Sequence, residues 1–577
     1  MRGAFFFGKV VNARGGRKLK RYSLIFAGLV LVLLLGSYSF AQPQDESRWK
    51  KMLISFREQP RYHLAQVKET DVPGMPTGGM EGKGPQEPLV LTLDDCIGMA
   101  LQNNLDIAVE GYNPKIVEQD IVREEAAFDP FFDTTASYWD YRVPTNRKVF
   151  LTTGTTATGT TIVETAFPDK HQALDVNFGW RQNLVTGTSY EAKFNNDRWE
   201  SLLDQAINNV YYQSNPSYTS QLSLTLSQAL LRNFGIDVNK TRIYIAQNNT
   251  TISLQEFRSR VFGVLWQVQT AYWDLAAAIK NLEINQRSLK LAQDLLEINK
   301  AKVKAGTLAP LDIVSAEAEV ASRVTGVITA ENLIKNVEDL LRRVMNLPGD
   351  AQMWQRPIKP ADRPTFEAQP LSVEESMARA LGLRPDYAQA KLTLQNKDVF
   401  KRYAKNQLLP SLSLQGSAGL NSIGENYHDN FHSLRTGDWY NYGVGLVMEV
   451  PVGNRLARAQ YTQASLDQEK SKTDLVNLEQ KILIEIRVIV RNIETNLKRI
   501  DSTRQARILQ QKKLEVEQKK LSVGMSTNFE VLRVQRDLIQ AETDELQALL
   551  DYKRTLIDLE RAEGSIMEKH NVVLKES

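Results

Sequence analysis

The sequence predicts an α+β membrane protein in which long antiparallel coiled-coil helices are joined to β-strands that complete a transmembrane β-barrel by oligomerising. Three observations support this fold class. A short phrase recurs 280 residues downstream, a secretory N-terminus is followed by no further apolar run of spanning length, and the remaining segments follow either a heptad or a period-two pattern. Together they indicate an exported chain that carries one helix-strand-helix unit twice.

The N-terminal segment has the features of a secretory signal peptide. Four basic residues within 17–21 precede an apolar run from Leu24 to Leu35, and Ser39-Phe40-Ala41 places small residues at the cleavage-selecting positions. A dozen apolar residues are fewer than the roughly 20 of a spanning helix, so we expect cleavage after Ala41. Removing seven of the 71 Lys/Arg leaves 64 against 68 acids, a net charge of −4. No basic patch for nucleic-acid binding remains.

The mature chain shows no signature of catalysis or of metal binding. Its single cysteine, Cys96, excludes an internal disulfide and lies far from a lipid-bearing N-terminus. Among the histidines only His428 and His432 are close in sequence, within a polar stretch that we predict to be a surface loop. No nucleophile elbow, phosphate loop or metal-protease motif is found, so we predict no catalytic, cofactor or metal residues and no enzyme activity.

The internal repeat is defined by anchors with regular spacing. Leu91–Leu101 followed by Asp106 matches Leu371–Leu381 followed by Asp386, an offset of 280 that also relates Pro130 to Pro410. Later anchors match at 222 (226–230 with 448–452) and at 218 (303–306 with 521–524). The difference of 280 − 222 = 58 places an insertion in the first copy, between about 140 and 220.

Each copy opens with a predicted amphipathic helix of about 35 residues, over 93–127 and 373–407, which ends before a proline. Strands follow, in which leucines alternate with small or polar residues, as at 222–227 and 411–415. Two strand pairs per chain are too few to close a barrel, which needs about eight strands, so we expect the chain to oligomerise. A trimer with four strands per chain would have twelve. If 173–180 and 188–194 join as a hairpin, each chain supplies six strands and a trimer eighteen. Otherwise they decorate an extracellular loop.

A heptad pattern then predicts a helix of about 70 residues in each copy, ending at Gly306 or Gly524. Final helices are predicted over 309–346 and 527–567. At about 1.5 Å per residue the long helix spans about 100 Å, which the two shorter helices match when placed end to end. We therefore expect the strands at one end of the helices and the glycine turns at the other.

These patterns divide the chain into six predicted segments: a signal peptide at 1–41, a flexible extension at 42–90, a first repeat at 91–348, a linker at 349–370, a second repeat at 371–567 and a tail at 568–577.

The order of these features resembles the TolC outer-membrane efflux and secretion family. The resemblance is carried by the paired openings at 93–101 and 373–381, Pro130 and Pro410, Leu226–Leu230, Ala271–Leu275 and the two glycine turns. It implies a homotrimer with a β-barrel in the outer membrane of a Gram-negative-type bacterium and a helical barrel in the periplasm. It also implies a passive duct whose partners are a periplasmic adaptor and an inner-membrane transporter or ABC ATPase, for efflux or type I secretion.

Candidate gate residues lie at the two turns. Gly306 and Gly524 suit the left-handed conformation of a helix C-cap. Asp312 and Glu530 occupy the first turns of the returning helices, where the dipole favours acids, and Thr527 with Glu530 has capping-box spacing. In the family such acids form rings that narrow the entrance and favour cations. Arg533 departs from this pattern, so a contact from Glu530 to Arg533 could instead hold the tip shut.

Two other functions compete with the channel. A periplasmic adaptor, or membrane fusion protein, also combines a helical hairpin with β-structure but needs no repeat. A coiled-coil envelope scaffold explains the heptads but not the alternating strands. Tyr272 and Trp273 are predicted to pack between helices, since Tyr272 lies in the heptad stripe.

Overall fold

The computed structural model describes residues 54–55, 88–143, 148–156, 159–166, 169–201, 215–347, 354, 356–362 and 371–574. The predicted signal peptide at 1–41 lies outside the described residues. The chain divides into a smaller unit, Met1–Asp71 with Met567–Ser577, and a larger unit, Val72–Ile566. In the smaller unit, β1 (Ile54–Ser55) pairs antiparallel with β12 (Val573–Leu574).

The larger unit contains helices and strands in an order that recurs between its two halves. The helices of the first half are α1 (Leu93–Asn103), α2 (Leu105–Glu110), α3 (Asn113–Glu125), α4 (Ile236–Asn239), α5 (Thr241–Lys304) and α6 (Pro310–Met345). The helices that follow are α7 (Val373–Leu383), α8 (Pro385–Asn406), α9 (Tyr427–Thr436), α10 (Arg455–Ser522) and α11 (Asn528–Glu563). A last helix, α12 (Ile566–Lys569), begins at the final residue of the larger unit and continues in the smaller one.

The strands of the larger unit are β2 (Leu89–Leu91), β3 (Phe131–Val143), β4 (Lys148–Thr156), β5 (Gly159–Ala166), β6 (Asp169–Asn183), β7 (Thr188–Ser201), β8 (Ser217–Ala229), β9 (Ile358–Pro360), β10 (Ser411–Gly424) and β11 (Tyr440–Glu449). Six of them form one antiparallel sheet in the order β11-β10-β8-β7-β6-β3. β4 and β5 form a separate hairpin. Within the described residues the hairpin over 173–194 therefore belongs to the main sheet.

The prediction of one uninterrupted helix at the start of each copy is wrong. The first breaks at Asn104, where the backbone is extended (φ −63°, ψ 124°), and again around Gly111. The second breaks at Arg384 (φ −68°, ψ 124°). Arg384 precedes Pro385, whose ring disfavours a helical conformation in the preceding residue. The Asn104 side chain instead caps α2 by accepting from the Ile107 N–H at 3.1 Å.

The heptad stripes form the core of the helical region. Val261, Leu265, Val268, Tyr272 and Leu275 of α5 are all fully buried. In the second half the isoleucines of α10 pack against α7 and α11 in one cluster. Its most buried members are Ala380, Ile482, Ile486, Ile493, Ile500, Ala548 and Tyr552. The predicted long helices are confirmed, at 64 residues for α5 and 68 for α10, or about 96 and 102 Å at 1.5 Å per residue.

Two short strands occur where the sequence predicts none. Leu89–Leu91, which crosses the predicted boundary between the extension and the first repeat, pairs in parallel with Ile358–Pro360 in the predicted linker. This pairing joins the start of the first half to the segment between the halves. Such a long-range ladder has no local sequence signal, because each strand is only three residues long. In the described part of the chain, none of the helices combines the length and hydropathy needed to cross a bilayer.

Candidate functional site

Both long helices end in the same turn. Gly306 and Gly524 adopt left-handed φ values of 76° and 78°. In the first turn the N–H of Thr307 donates to the Lys302 carbonyl at 3.0 Å, and in the second the N–H of Met525 donates to the Lys520 carbonyl at 2.9 Å. The N–H of each glycine also donates to the carbonyl three residues before it, at 2.9 Å for Gly306 and 3.3 Å for Gly524, and the two bonds of each turn form a Schellman motif. No atom lies within 4 Å of a Cβ added at either glycine, so the backbone conformation, not space, requires glycine here.

The ends of the two helical hairpins lie side by side. Leu295 of α5 packs in one cluster with Leu514 of α10 and with Val531 and Leu532 of α11. Because Leu295 lies nine residues before the end of α5 and Val531 three residues into α11, both turns are at the same end of the packed helices. The structure thereby brings the five predicted residues (Gly306, Gly524, Asp312, Glu530 and Arg533) to one end of the larger unit.

The acidic residues of the two turns differ in their partners. Glu530 forms an ion pair with Arg533 at 2.6 Å, and its N–H donates to the Thr527 hydroxyl at 3.4 Å. This is the contact that the i, i+3 spacing predicted. Asp312 makes no ion pair with the described residues, and the equivalent of Arg533 in its helix is Ser315. The pair is partly exposed, so it contributes only a few tenths of a kcal/mol to stability.

An apolar patch surrounds the turns, and sequence reasoning missed it. We call it the tip patch. Its side chains are 61 to 78% exposed, although large apolar side chains are most often buried in a folded protein. The tip patch consists of Leu311, Val314, Val523, Met525 and Phe529. Apolar residues beside both glycine turns were a signal that could have located it, since turn residues are normally polar.

Two buried amides lie just behind the tip patch. Asn299 of α5 is fully buried and Asn528 at the start of α11 is 5% exposed. Within the described residues, neither side chain has a hydrogen-bond partner for its amide nitrogen or oxygen. A buried polar group without a partner costs about 1–3 kcal/mol. These two amides therefore make the packing of the helix ends less favourable than it would be with apolar or hydrogen-bonded side chains.

Over its central rows the main sheet has one apolar and one polar face. Towards the C-terminal end of β3 this division is lost, since Arg198 lies on the apolar side, Trp139 and Trp199 lie on the polar side, and Phe431 of α9 packs on the apolar side. Residues that pair across antiparallel strands lie on the same face, so the register assigns every side chain. The apolar face carries an aromatic row in which the Phe178 ring lies 6.3 Å from Phe132 and 6.4 Å from Phe194. Its other members include Val176, Leu222, Leu224, Leu226, Leu414, Val444, Leu446 and Met448. The polar face includes Asp133, Asp175, Asn177, Arg181, Glu191, Lys193, Asn195, Asp197 and Ser223.

The remaining sequence-based expectations concern packing residues and histidines. Tyr272 is buried between helices as predicted, and its hydroxyl donates to Asp362 at 2.8 Å. His428 and His432 lie on helix α9, so the prediction of a loop there is wrong. The helix forms because Asn426 accepts from the Asp429 N–H at 3.0 Å as an N-cap, while buried Asn430 donates to Ser220. No group of three or more potential metal ligands occurs among the residues that the structure describes.

Comparison with known proteins follows the same division into two halves. A model of the outer membrane efflux protein family matches residues 96–347 and again residues 377–565. The chain belongs to this family. Membership places it in the outer membrane, with its helical part in the periplasm.

Individual relatives are distant. The chain is 24% identical over 273 residues to outer membrane protein TolC of Vibrio cholerae serotype O1, covering 47% of this chain and 60% of that protein. It is 25% identical over 269 residues to nodulation protein T of Rhizobium leguminosarum bv. trifolii, covering 46% and 54%. The matches thus span less than two thirds of either relative.

Solved structures share the fold over most of the chain. The outer-membrane channel OprN superimposes with a TM-score of 0.59 at 14% identity, covering 82% of this chain and 90% of that one. The Campylobacter jejuni CmeC outer membrane channel gives 0.56 at 14% identity, covering 85% and 93%. The open-state Neisseria gonorrhoeae MtrE outer membrane channel gives 0.56 at 16% identity, covering 89% and 98%.

Proposed function

We propose that the protein is the outer-membrane channel subunit of a tripartite efflux pump or type I secretion system, acting as a passive homotrimeric duct. The two-faced sheet is the observation that carries this proposal. A sheet with one apolar and one polar face suits a wall between lipid and water, and the apolar face includes both outer strands. The long helices, which continue from one end of these strands, provide the periplasmic part.

The duct needs no catalytic residues in this subunit. Solute moves through a water-filled lumen, and the energy comes from the inner-membrane transporter or ABC ATPase that supplies the cargo. The polar face of the sheet carries carboxylates and basic groups interspersed, so it keeps the lumen hydrated without a strong electrostatic field of one sign.

The periplasmic end is the proposed gate. Gly306 and Gly524 form the turns, Asp312 and Glu530 project from the returning helices, and Arg533 neutralises Glu530 across 2.6 Å. Three copies around an axis would bring these groups together as rings. The unpartnered amide of Asn299 supports a closed state that costs little to leave, because hydration on opening satisfies it.

The tip patch is the proposed contact with a periplasmic adaptor. Its five side chains are exposed at the end of the helices, where apolar area would be buried by a partner. A helical hairpin of an adaptor presents complementary apolar side chains at helical spacing.

Oligomeric state and conductance test the channel. The mature protein, extracted from outer membranes in mild detergent, is expected to have the mass of three subunits by multi-angle light scattering. In planar bilayers it should give discrete ion-conducting steps. A water-soluble monomer, or a trimer without conductance, contradicts the proposal.

A site-specific photo-crosslinker tests the adaptor contact. Placed at Met525 in cells of the native host, it is expected to capture one periplasmic protein with a helical hairpin, identified by mass spectrometry. Leu466 is the control position, because it is 65% exposed but lies near the sheet end of α10. Equal capture from both positions, or none from Met525, contradicts docking at the tip patch.

A further inference from the structure

The hairpin of β6 and β7 lies in the middle of the main sheet, not at its edge. β3 pairs with β6 along its whole length, and β8 pairs with β7 along almost all of its length. A four-stranded sheet would require β3 to pair with β8 directly, whereas here the hairpin separates them. Removing the hairpin from the sheet would leave a row of backbone groups on β3 and on β8 without partners.

The hairpin also has the two faces of the rest of the sheet. Val176 and Phe194 lie on the apolar face, and their neighbours Asn177 and Asn195 lie on the polar face. This alternation continues that of β8, where Leu224 is on the apolar face and Ser223 on the polar one. A hairpin that decorated a loop in water would have no use for a continuous apolar face.

The outer strands of the sheet are suited to pair with each other in a ring. Among the described strands, β3 and β11 each have a partner on one side only. Because all neighbours are antiparallel and the number of strands is even, β3 and β11 run in opposite directions. Copies related by rotation can therefore join β3 of one to β11 of the next as an antiparallel pair. In lipid such closure is required, since open edges leave unsatisfied backbone groups.

We propose that each subunit contributes six strands, including β6 and β7, and that three copies close an eighteen-stranded barrel through β3–β11 pairing. This inference rests on the proposed function, in which three copies form the channel. It assigns to β3 and β11 a partner of defined chemistry, the opposite edge of a second copy of this chain.

An eighteen-stranded barrel changes where the duct is narrowest. Barrels of 16 to 18 strands enclose an aqueous channel, whereas eight-stranded ones are filled by side chains. The polar face, with Asp175, Arg181, Lys193 and Asp197, lines this lumen. The membrane part is thus wide, and resistance to ion flow resides at the helical turns.

Cysteine accessibility in proteoliposomes tests the strand count. Asn177→Cys and Asn195→Cys are expected to react with a membrane-impermeant maleimide, while Val176→Cys and Ala192→Cys are protected by lipid. Ala192 lies on the apolar face opposite Leu224 and is chosen over Phe194, whose ring packs against Phe431 of α9. Ser223→Cys and Leu224→Cys on β8 are the matched controls, since β8 belongs to the barrel whether chains supply four strands or six. The native Cys96 is fully buried, and burial with nearby Asp95 and Asp362 raises the pKa of its thiol to about 12, so it does not react.

The outcomes separate this inference from the proposed function. Alternating protection on β6 and β7, equal to that on β8, supports six strands. Reaction at all four hairpin positions with alternation kept on β8 overturns the eighteen-stranded barrel while the trimeric channel stands. Loss of alternation on β8 as well overturns both. In a second measurement, Ser137→Cys on β3 paired with cysteines at 441, 443 and 445 of β11 should give disulfide-linked trimers at one register, and no cross-link at any register contradicts the β3–β11 closure.

Discussion

The two halves of the molecule solve one structural problem with different chemistry. Asn104 and Arg384, related by the offset of 280, both sit at a helix break with ψ 124°. The Asn104 amide donates to the Val344 carbonyl at 2.7 Å, and the Arg384 guanidinium donates to the Ala562 carbonyl at 3.0 Å. These carbonyls are themselves related by the offset 562 − 344 = 218. Each half therefore has a hydrogen bond from the break in its opening helix to a carbonyl near the end of its returning helix, and we call this bond the tie. The donor is a neutral amide in the first half and a charged guanidinium in the second.

The charged version recruits further partners. Arg384 also donates to Asp386 and Glu485, each at 2.8 Å. Asn104, in contrast, uses its oxygen to cap α2. We conclude that the two halves share the backbone geometry of this contact. Only the contact in the second half, which is made by a charged group, should respond to pH and salt. The following predictions test that conclusion.

Removal of either tie should give the largest effect. We expect Arg384→Ala to lower the free energy of unfolding by about 2–3 kcal/mol, because two carboxylates and a carbonyl lose a charged donor, and the half-exposed carboxylates limit the cost. Asn104→Ala should cost about 2 kcal/mol, from one cap and one buried hydrogen bond. Circular dichroism melting in detergent measures both. High salt should weaken only the Arg384 contribution, and equal salt dependence of the two variants would contradict the comparison.

Acid should destabilise the second half selectively. Burial raises the pKa of Asp386, but the Arg384 guanidinium beside it outweighs this effect, so the pKa lies below its usual value. A folded pKa below the unfolded value of about 3.9 means that the stabilisation is present above about pH 4 and is lost as pH falls through the folded pKa. Asp386→Asn should remove this part of the acid transition in melting curves. Asn104→Ala should leave it intact, and a loss there as well would show that the pH response is not confined to the second half.

The turns should respond alike, since they are built alike. Gly306→Ala and Gly524→Ala are each expected to cost about 1 kcal/mol, the penalty for a side chain in the left-handed conformation. Gly263→Ala is the control, because Gly263 lies within α5 with nothing within 4 Å of an added Cβ, and it should gain up to about 1 kcal/mol. Thermal melting of the three variants decides this, and a stabilised Gly306→Ala would refute the role of the left-handed cap.

The smallest change in stability should accompany a change in conductance. Glu530→Ala with Arg533→Ala removes an exposed ion pair and should alter stability by only a few tenths of a kcal/mol. We expect the double variant to raise single-channel conductance in bilayers, because the pair holds the tip closed. Asp312→Ala breaks no ion pair in the described part and should change cation selectivity instead. Unchanged conductance in the double variant would argue against a gate at Glu530 and Arg533.

Local patterns predicted most of the helical part. The heptads located α5 and α10 because a buried stripe at 3.5-residue spacing can form little else, and Gly306 and Gly524 marked the C-caps because only glycine accepts their φ readily. The breaks at Asn104 and Arg384 were missed because amphipathic spacing continues across them, although Pro385 was a local signal for the second break. The tip patch was missed because exposure depends on what the rest of the chain covers.

The repeat was found by comparing distant segments of the sequence, and the long helices, the turns and the alternation of the strands were found from residues close along the chain. Three features required the folded structure: the insertion of the β6–β7 hairpin between β3 and β8, the pairing of Leu89–Leu91 with Ile358–Pro360, and the equivalent contacts of Asn104 and Arg384. These features are pairings between distant segments. Backbone N–H and C=O groups are the same in every strand, so the local sequence does not specify which strand will be the partner. The number and order of the strands in the sheet therefore become visible only in the folded chain.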